Sequence, residues 1–372
     1  MSSLNIIKSI VKQILLKSFP DYFVYRFIKK SEKDTTYIYG GYETRSHIKE
    51  NCEYFLTKEQ LGDEKFMKKI VHDIIKCYLL YGTNANEYFC YKFPVLSNKE
   101  RDTYLPRKRK DDLLMKNMGK DWPIHFDQLK DKYRFYQLTK DFFGRDACQV
   151  SIDSDYDDFD ILITKHQRVI AKPSRGGCGV GVTIIDLKDF ANNSRKVFDY
   201  LMSFKTPFIV EELVKQDSRM AEWNESSINT LRIPSFRTKD GIRIIYPSVR
   251  IGRAGSIVDN AGSGGTFAAI DSSSGKIITE GFDKRGKKYE KHPDSNKYYR
   301  GSQIPEWDEL VAIVEKLHLS LPAIHKYIAF DFALSTKGWV LVEANWGEMS
   351  MPQIEFGKGL YKEFANLLHA DI

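Results

Sequence analysis

Apolar residues recur three and four positions apart through the first 120 residues, which is the spacing of one helix face. Residues 4–30 form the first such stripe, with the lysines largely off it, and glycine and proline are sparse from about 44 to 120. We predict a mostly helical N-terminal lobe that opens with an amphipathic helix. Such a helix packs on its own domain or lies at a membrane interface, and the pattern alone leaves both interpretations open.

The pattern changes after residue 122. Short β-branched runs bounded by turn residues predict strands at 169–172, 183–185, 208–211, 230–233, 241–248, 327–334 and 339–343. Helical periodicity predicts helices at 132–143 and 307–319. Strands and helices are therefore mixed after residue 120, whereas the first third is mostly helical.

Composition narrows the class of protein. The 372 residues are 42% hydrophobic, 13% aromatic and 29% charged, as in globular proteins rather than disordered or fibrous ones. There is no run of about 18 uncharged apolar residues, so neither a spanning helix nor a secretory signal is expected. The five cysteines are scattered without a CxxC pair, which argues against a disulfide framework or a zinc site and favours a cytoplasmic location.

The basic excess is confined to the first third. Residues 1–120 carry 23 Lys and Arg against 15 Asp and Glu, whereas the remainder carries 34 against 35. A positive surface there would suit an acidic polymer or anionic lipid, and a solvated lysine-rich helix surface is the plainer alternative. No nucleic-acid-binding motif accompanies these residues, so nucleic acid is not an expected partner.

A glycine-rich segment at 171–181 lies between two predicted strands. Glycines allow the backbone N–H groups to approach an anion closely, and Lys172 adds a positive charge. This combination indicates a phosphate-binding loop, although the Walker pattern is absent and no helix clearly follows. The alternative is a mobile surface turn.

Acidic residues end the last two predicted strands. Asp331 and Glu343 would lie side by side in a hairpin, and Asn345 would share a face with Glu343 because it is two positions further on. Three hard oxygen ligands at one place suit Mg²⁺ bound to a nucleotide. The alternative is a pair of solvated carboxylates at a sheet edge.

These features in this order resemble the ATP-grasp superfamily, and in particular its sugar-transfer-associated, or TupA-like, branch in polysaccharide biosynthesis. The resemblance covers about residues 70–358. Its main motifs are Asp131-Lys132, Lys172-Pro173 with the glycine loop, Glu211-Glu212-Leu213-Val214, Asn229-Thr230-Leu231-Arg232, Arg250-Ile251-Gly252-Arg253, Asp259-Asn260-Ala261-Gly262-Ser263-Gly264-Gly265 and Glu343-Ala344-Asn345-Trp346. The implied fold is α+β, with two subdomains that clasp ATP after the helical lobe. The lobe would be 1–120, the subdomain with the glycine-rich phosphate loop 121–210, and the C-terminal subdomain with the metal ligands and the acceptor pocket 211–372.

The resemblance also implies an ATP site. Lys132 and Lys172 would hold the α- and β-phosphates, and the loop 176–181 would close over the β- and γ-phosphates. The remaining implied nucleotide contacts are Ser174, Gly176, Gly177, Cys178 and Gly179 in the loop, Glu211 with the backbone of Glu212 and Val214 at adenine, and Asp217 or Ser218 at the ribose.

Metal and substrate contacts are implied in the same way. Asp331, Glu343 and Asn345 would bind two Mg²⁺ ions, with Glu343 bridging them. Arg232 would act with Lys172 in catalysis by stabilising an oxyanion, and a structural ion pair is its alternative role. The acceptor pocket or closing loop would contain Arg250, Arg253, Asn260, Ser263, Gly264 and Gly265, unless this segment is an ordinary flexible loop.

The implied function is a cytoplasmic Mg²⁺- and ATP-dependent carboxylate-amine ligase. It would join a uronic acid or amino acid to an amine in capsule, O-antigen or cell-wall polysaccharide synthesis. The basic first third would contact an acidic glycan, a lipid-linked intermediate or the inner membrane face. Two alternatives stay open, which are a kinase acting on a sugar or polyol hydroxyl and a glycan-assembly scaffold that binds ATP without turnover.

Overall fold

The computed structural model describes residues 11, 14–30, 43–177, 179–347 and 349–369. Within these residues the α-helices are α1 Pro20–Lys30, α2 Arg45–Phe55, α3 Lys58–Gly62, α4 Glu64–Tyr81, α5 Ala85–Cys90, α6 Asn98–Arg101, α7 Arg107–Met118, α8 Trp122–Lys130, α9 Lys132–Phe143, α10 Tyr156–His166, α11 Ser194–Ser203, α12 Ser218–Ala221, α13 Trp307–Ser320, α14 Ser350–Phe356 and α15 Tyr361–Leu367.

The strands are β1 Ala147–Val150, β2 Arg168–Pro173, β3 Thr183–Asp186, β4 Phe208–Glu212, β5 Thr230–Thr238, β6 Gly241–Ile244, β7 Ser248–Ile251, β8 Thr266–Ala269, β9 Gly281–Phe282, β10 Lys288–Tyr289, β11 Tyr327–Ser335 and β12 Gly338–Asn345. Short 3₁₀ helices lie at Phe93–Val95, Gly119–Asp121, Leu187–Phe190 and Ala261–Ser263.

The first of two compact units is helical, as the periodicity predicts. It contains the described residues of Met1–Asn117 and Met349–Ile372. Helix α4 shows how the sequence builds it, because Asp63 caps the first turn and Gly82 ends the helix in the left-handed region at φ 77°. Ile74 and Tyr78, four positions apart, are buried in the core of this unit.

The C-terminal residues belong to this helical unit, although the expected last segment ran on from 211 to 372. Gln353 on α14 is fully buried and accepts a hydrogen bond from the Leu105 N–H at 2.7 Å. Its amide donates to the carbonyl of Leu105 and to the hydroxyl of Tyr91. The paired residues are more than 240 positions apart in the chain, so hydrophobic periodicity does not reveal these contacts.

Of the predicted opening helix, Ile6, Ile7 and Ile10 lie outside the described residues. Helix α1 packs on α4 in the first unit. No helix in the described part of the chain is both long and apolar enough to cross a membrane.

The second unit, Met118–Glu348, contains two antiparallel sheets. The first has the strand order β1-β4-β2-β3, and the second has the order β10-β9-β8-β7-β5-β11-β12 with β6 paired to β5. Helices α10 and α11 pack on the first sheet, and α9 and α13 contact strands of the second. This is the α+β arrangement that the sequence predicts.

The predicted strands and helices of the second unit are present, with one strand divided. The predicted run at 241–248 is two strands, β6 and β7, because Tyr246 has a positive φ of 51° and Pro247 follows it. Strands β1, β8, β9 and β10 were not predicted. They are short, and β9 and β10 have two residues each.

A β-bulge interrupts the pairing of β11 with β12. Asp331 pairs with Glu343, but the next residue, Phe332, pairs with Leu341. Val342 is therefore an extra residue on β12. Because of the bulge, Glu343 and Leu341 face opposite sides of the sheet although they are two positions apart.

Candidate active site

Two carboxyl groups meet on neighbouring strands of the second sheet. Asp331 lies directly opposite Glu343 in the register, and the charge of Asp331 acts on the carboxyl group of Glu343. The amide of Asn345 donates to Oε1 of Glu343 at 3.5 Å. The structure thus brings the three predicted metal ligands together.

Asp331 is fully buried and is held by two arginines. Arg232 on β5 donates to both carboxylate oxygens, from Nε to Oδ1 and from Nη2 to Oδ2 at 2.9 Å. Nη2 of Arg250 on β7 lies 3.1 Å from Oδ2. Burial alone would raise the pKa of Asp331, but the two guanidinium groups outweigh it and the pKa is lowered. Asp331 is therefore the charged member of the carboxyl pair.

Glu343 shows the opposite shift. Burial, and then the charge of Asp331, raise its pKa. A divalent cation would stabilise the charge of both carboxylates, and the side-chain oxygen of Asn345 completes a set of hard oxygen donors. The residues present therefore fit Mg²⁺.

Two lysines bring positive charge to the same region. Nζ of Lys172 lies 2.9 Å from Oε2 of Glu211, and Nζ of Lys132 donates to two carbonyls of the glycine-rich segment at 3.2 and 2.9 Å. Lys172 acts electrostatically on Glu343, and Glu343 acts on Lys132. Burial lowers the pKa of Lys132, against the effect of Glu343. The two lysines and the predicted metal ligands thus act on one another electrostatically.

Arg145 was not singled out from the sequence, yet it connects the two sheets at this site. Its side chain is 3% exposed, and Nη2 lies 2.6 Å from Oε2 of Glu211, the oxygen that also contacts Lys172. The same guanidinium donates to the carbonyls of Leu341 and Val342 at the bulge. Burial alone would raise the pKa of Glu211, but Arg145 and Lys172 lower it. In the sequence Arg145 is a single arginine after Gly144 and belongs to no motif, so the sequence does not identify it as a site residue.

The glycine-rich loop joins β2 to β3 and is exposed over its described residues 175–177 and 179–181. A Cβ on Gly176 or Gly177 would meet no atom within 4 Å, so this side of the loop is open to a ligand. Gly179 has a φ of 74°, and a Cβ there would lie 3.4 Å from Val258 and 3.6 Å from Asn260. The loop therefore lies beside the predicted acceptor loop.

One predicted loop contact, Ser174, is not supported by the structure. The Ser174 hydroxyl is buried and has no hydrogen-bond partner among the described residues. Because protein atoms enclose it, the hydroxyl cannot reach a nucleotide in this arrangement. Cys178 lies outside the described residues.

The predicted adenine segment needs one correction. The N–H of Glu212 donates to the carbonyl of Asp146 at 2.8 Å as part of the sheet, so it is not available to adenine. Asp217 caps α12 and forms an ion pair with Arg219 at 2.8 Å, which occupies the carboxylate expected at the ribose. The N–H of Val214 donates to no group in the described part of the chain.

The predicted acceptor residues have mixed roles. Arg253 forms a bidentate pair with Asp294 at 2.7 and 2.9 Å, so its guanidinium is already occupied by a carboxylate of this chain. Asn260 accepts from the Ser263 N–H at 2.8 Å and begins a turn. The turn ends at Gly264, whose φ is 89°, and Gly265 follows it.

Arg232 and Arg250 hold the metal-ligand strand rather than face open space. Both groups contact Asp331, and Arg250 also donates to Thr230 at 2.9 Å and lies 3.4 Å from Asp259. Arg232 thus forms the ion pair that was the alternative to its predicted role at an oxyanion. Asp259 belongs to the motif at 259–265, and its link to Arg250 depends on the sheet order.

The chain was compared with known proteins. The family described as sugar-transfer associated ATP-grasp matches residues 121–368, about two thirds of the chain. No curated protein matches the sequence.

Several solved structures are similar to part of the chain. D-alanyl-alanine synthetase A from Vibrio cholerae has 14% identity and a TM-score of 0.40, and the match covers 66% of each chain. D-alanine-D-alanine ligase from Helicobacter pylori has 14% identity and a TM-score of 0.40 over 66% of this chain and 62% of that one. The Bacillus anthracis ligase complexed with ATP has 13% identity and a TM-score of 0.39 over 66% of each chain. The chain thus spans slightly less than two thirds of the length of these proteins.

Proposed function

Because the chain belongs to the sugar-transfer associated ATP-grasp family, we propose that it is a Mg²⁺- and ATP-dependent ligase that joins a carboxylate to an amine. The observation that carries this proposal is the contact between Asp331 and Glu343, coupled to the charges of Lys172 and Lys132. Transfer of a phosphoryl group between two anions needs ammonium groups and hard-oxygen metal ligands at one place.

The residues have distinct parts in this proposal. Lys132 and Lys172 bind phosphate oxygens of ATP, and the glycine-rich loop covers them with backbone N–H groups. Asp331, Glu343 and Asn345 hold Mg²⁺, which when bound neutralises charge on the phosphoryl oxygens. Arg232 and Arg250 keep Asp331 charged and oriented, so they are positioning residues.

The proposed chemistry has two steps. An oxygen of the substrate carboxylate attacks the γ-phosphorus of ATP, the bond to the β,γ-bridging oxygen breaks, and ADP leaves with that electron pair. The amine nitrogen then attacks the acyl phosphate carbon and loses a proton, and inorganic phosphate leaves. The phosphate carries away one oxygen of the original carboxylate.

The family description supports a role with sugars. We propose a uronic acid or an amino acid as the carboxylate, in the cytoplasmic synthesis of a capsule, O-antigen or cell-wall polysaccharide. ATP and Mg²⁺ are the proposed cofactors, and two bound ions are expected.

The oxygen balance provides the test. Purified protein is incubated with Mg²⁺-ATP and a panel of uronic and amino acids, ¹⁸O-labelled in the carboxylate, each crossed with amines. The proposal expects ADP release only when both partners are present, with one ¹⁸O in each phosphate released. Glu343→Gln, which keeps the side-chain size, should abolish both signals. ADP release with a hydroxyl compound alone, and no free phosphate, would indicate a kinase instead.

A further inference from the structure

The N-terminal helical residues expose an unusual set of large apolar side chains. Residues 14–18 and α1 are helical, and six apolar side chains in this part of the chain are each 43–63% exposed. We call them the N-terminal apolar stripe, and they are Val11, Ile14, Leu15, Phe19, Tyr22 and Tyr25.

The stripe is not the face by which α1 attaches to its own unit. Val24 is completely buried against that unit, and Asp21 contacts Lys76 at 3.0 Å and His72 at 3.5 Å on α4. Tyr22 and Val24 are two positions apart, about 160° around the helix. Helix α1 is therefore held on one side while the apolar side chains of the other side lie in solvent.

Positive charge lies beside α1. Lys65, Lys69, His72 and Lys76 are spaced four, three and four positions apart, so they form one row along α4. Because Asp21 contacts both His72 and Lys76, this row runs next to α1. Lys65 and Lys69 are exposed.

We propose that the N-terminal apolar stripe docks the protein on a bilayer that contains anionic lipids. Tyrosine, phenylalanine and aliphatic side chains enter the boundary between headgroups and acyl chains, and the adjacent lysines attract the headgroup phosphates. A second copy of the same surface would bring two rows of lysines together, whereas an anionic bilayer complements both the charge and the apolar area. The proposal goes beyond the ligase reaction and does not depend on it.

The test uses the full chain. Protein is sedimented with phosphatidylcholine vesicles and with vesicles that also contain phosphatidylglycerol, at low and at high salt. We expect binding to the anionic vesicles that weakens as salt rises. The double substitution Tyr22→Ser with Tyr25→Ser should weaken this binding at least about tenfold, because two inserted aromatic side chains are lost.

Matched variants separate the two contributions. Lys65→Gln with Lys69→Gln should weaken binding to anionic vesicles at least about tenfold and leave the weak binding to neutral vesicles unchanged. Ile161→Ser with Tyr298→Ser removes apolar side chains that are 66% and 53% exposed in the second unit, and it should leave vesicle binding unchanged. Unfolding midpoints of all variants are measured in the same buffers.

Several results would overturn the proposal. These are absence of vesicle binding by the unmodified protein, binding that Tyr22→Ser with Tyr25→Ser leaves unchanged, and a self-association that the same change abolishes. A large drop in unfolding midpoint for this variant would show that other parts of the chain cover the stripe. Tighter binding to a free acidic polysaccharide than to vesicles would identify a glycan as the partner. ADP release without vesicles should be unchanged in the variant, so failure here is distinct from failure of the ligase assignment.

Discussion

Arg145 and Glu211 form a buried ion pair, 2.6 Å between Nη2 and Oε2, at the place where the two sheets of the second unit meet. The same guanidinium donates to backbone carbonyls of the bulge on β12. One side chain thus links the strand that carries Glu211 to the strand that carries Glu343. Arg145 therefore fixes the position of Glu211, which contacts Lys172, relative to the strand that carries Glu343.

Replacement of Arg145 should therefore affect both stability and turnover. Arg145→Ala leaves Glu211 with one cation and removes the side-chain donor to three backbone carbonyls. Removal of one partner of a buried pair costs about 3–5 kcal/mol. We expect a loss of this size in the free energy of unfolding measured by urea denaturation. We also expect ADP release to fall in Arg145→Lys, which keeps the charge but cannot reach both strands. Lys68→Ala breaks an exposed pair on α4 and should cost only a few tenths of a kcal/mol; equal losses for the two alanine variants would contradict this interpretation.

The two carboxyl groups of the candidate metal site should respond differently to neutralisation. Asp331→Asn removes the anion between Arg232 and Arg250, so we expect a loss of several kcal/mol in unfolding free energy. Glu343→Gln removes a group whose charged form is disfavoured by burial and by Asp331, so the metal-free protein should be as stable as before or more so.

Magnesium provides the second measurement on this pair. Added Mg²⁺ should raise the unfolding midpoint of the unmodified protein and not that of Glu343→Gln. EDTA should reverse the increase. An equal response of both proteins to Mg²⁺ would place the ion elsewhere.

Acid should destabilise the protein through two buried histidines. Burial, more than any other effect, lowers the pKa of His318 and of His325 to about 4. In the unfolded chain these histidines bind protons near pH 6.5, whereas in the folded chain they bind them only near pH 4. The contribution of the two neutral histidines to the free energy of unfolding is therefore complete above about pH 7 and is lost as pH falls from 6.5 towards 4. By pH 5 each histidine should lower the free energy of unfolding by about 2 kcal/mol.

Urea midpoints between pH 7.5 and 4.5 measure this effect. His325→Gln keeps a polar side chain that cannot titrate, and its stability should fall less steeply with acid. His72→Gln, at a half-exposed surface histidine, is the control and should keep the steep fall. The same slope in all three proteins would assign the acid sensitivity to other groups.

The glycine-rich loop offers a test that leaves the fold intact. Gly179→Ala forces a side chain into the left-handed region and against Val258, in a loop that is exposed. We expect ATP affinity to fall about tenfold if loop closure loses about 1–2 kcal/mol. Gly241→Ala, at φ 111° in an open hairpin turn, carries comparable strain away from the site. Its ATP affinity, measured by calorimetry, should be unchanged.

Local patterns predicted most of the second unit. The hairpin of β11 and β12 followed from two strand-forming runs joined by a short turn, and so did the meeting of Asp331 with Glu343. The glycine-rich loop was also predictable, because positive φ angles require glycine there. These features depend on residues that are close together in the chain.

Long-range pairings could not be predicted in the same way. Arg232 and Asp331 are 99 residues apart, and Arg145 and Glu211 are 66 apart. Such pairs depend on which strands are neighbours, and hydrophobic periodicity does not determine the strand order of a sheet. For this reason Arg232 was assigned to an oxyanion, and Arg145 was not recognised.

The bulge at Val342 also determines which side of the sheet the residues at the end of β12 face. Leu341 belongs to the apolar core, and Glu343 faces the opposite side only because one extra residue lies between their pairing positions. Deletion of Val342 would join Leu341 directly to Glu343, and regular alternation would then keep Glu343 opposite Asp331. The same deletion would remove a carbonyl that accepts from Arg145. A one-residue deletion at position 342 should therefore preserve the pairing of the two carboxyl groups and weaken the link to the first sheet.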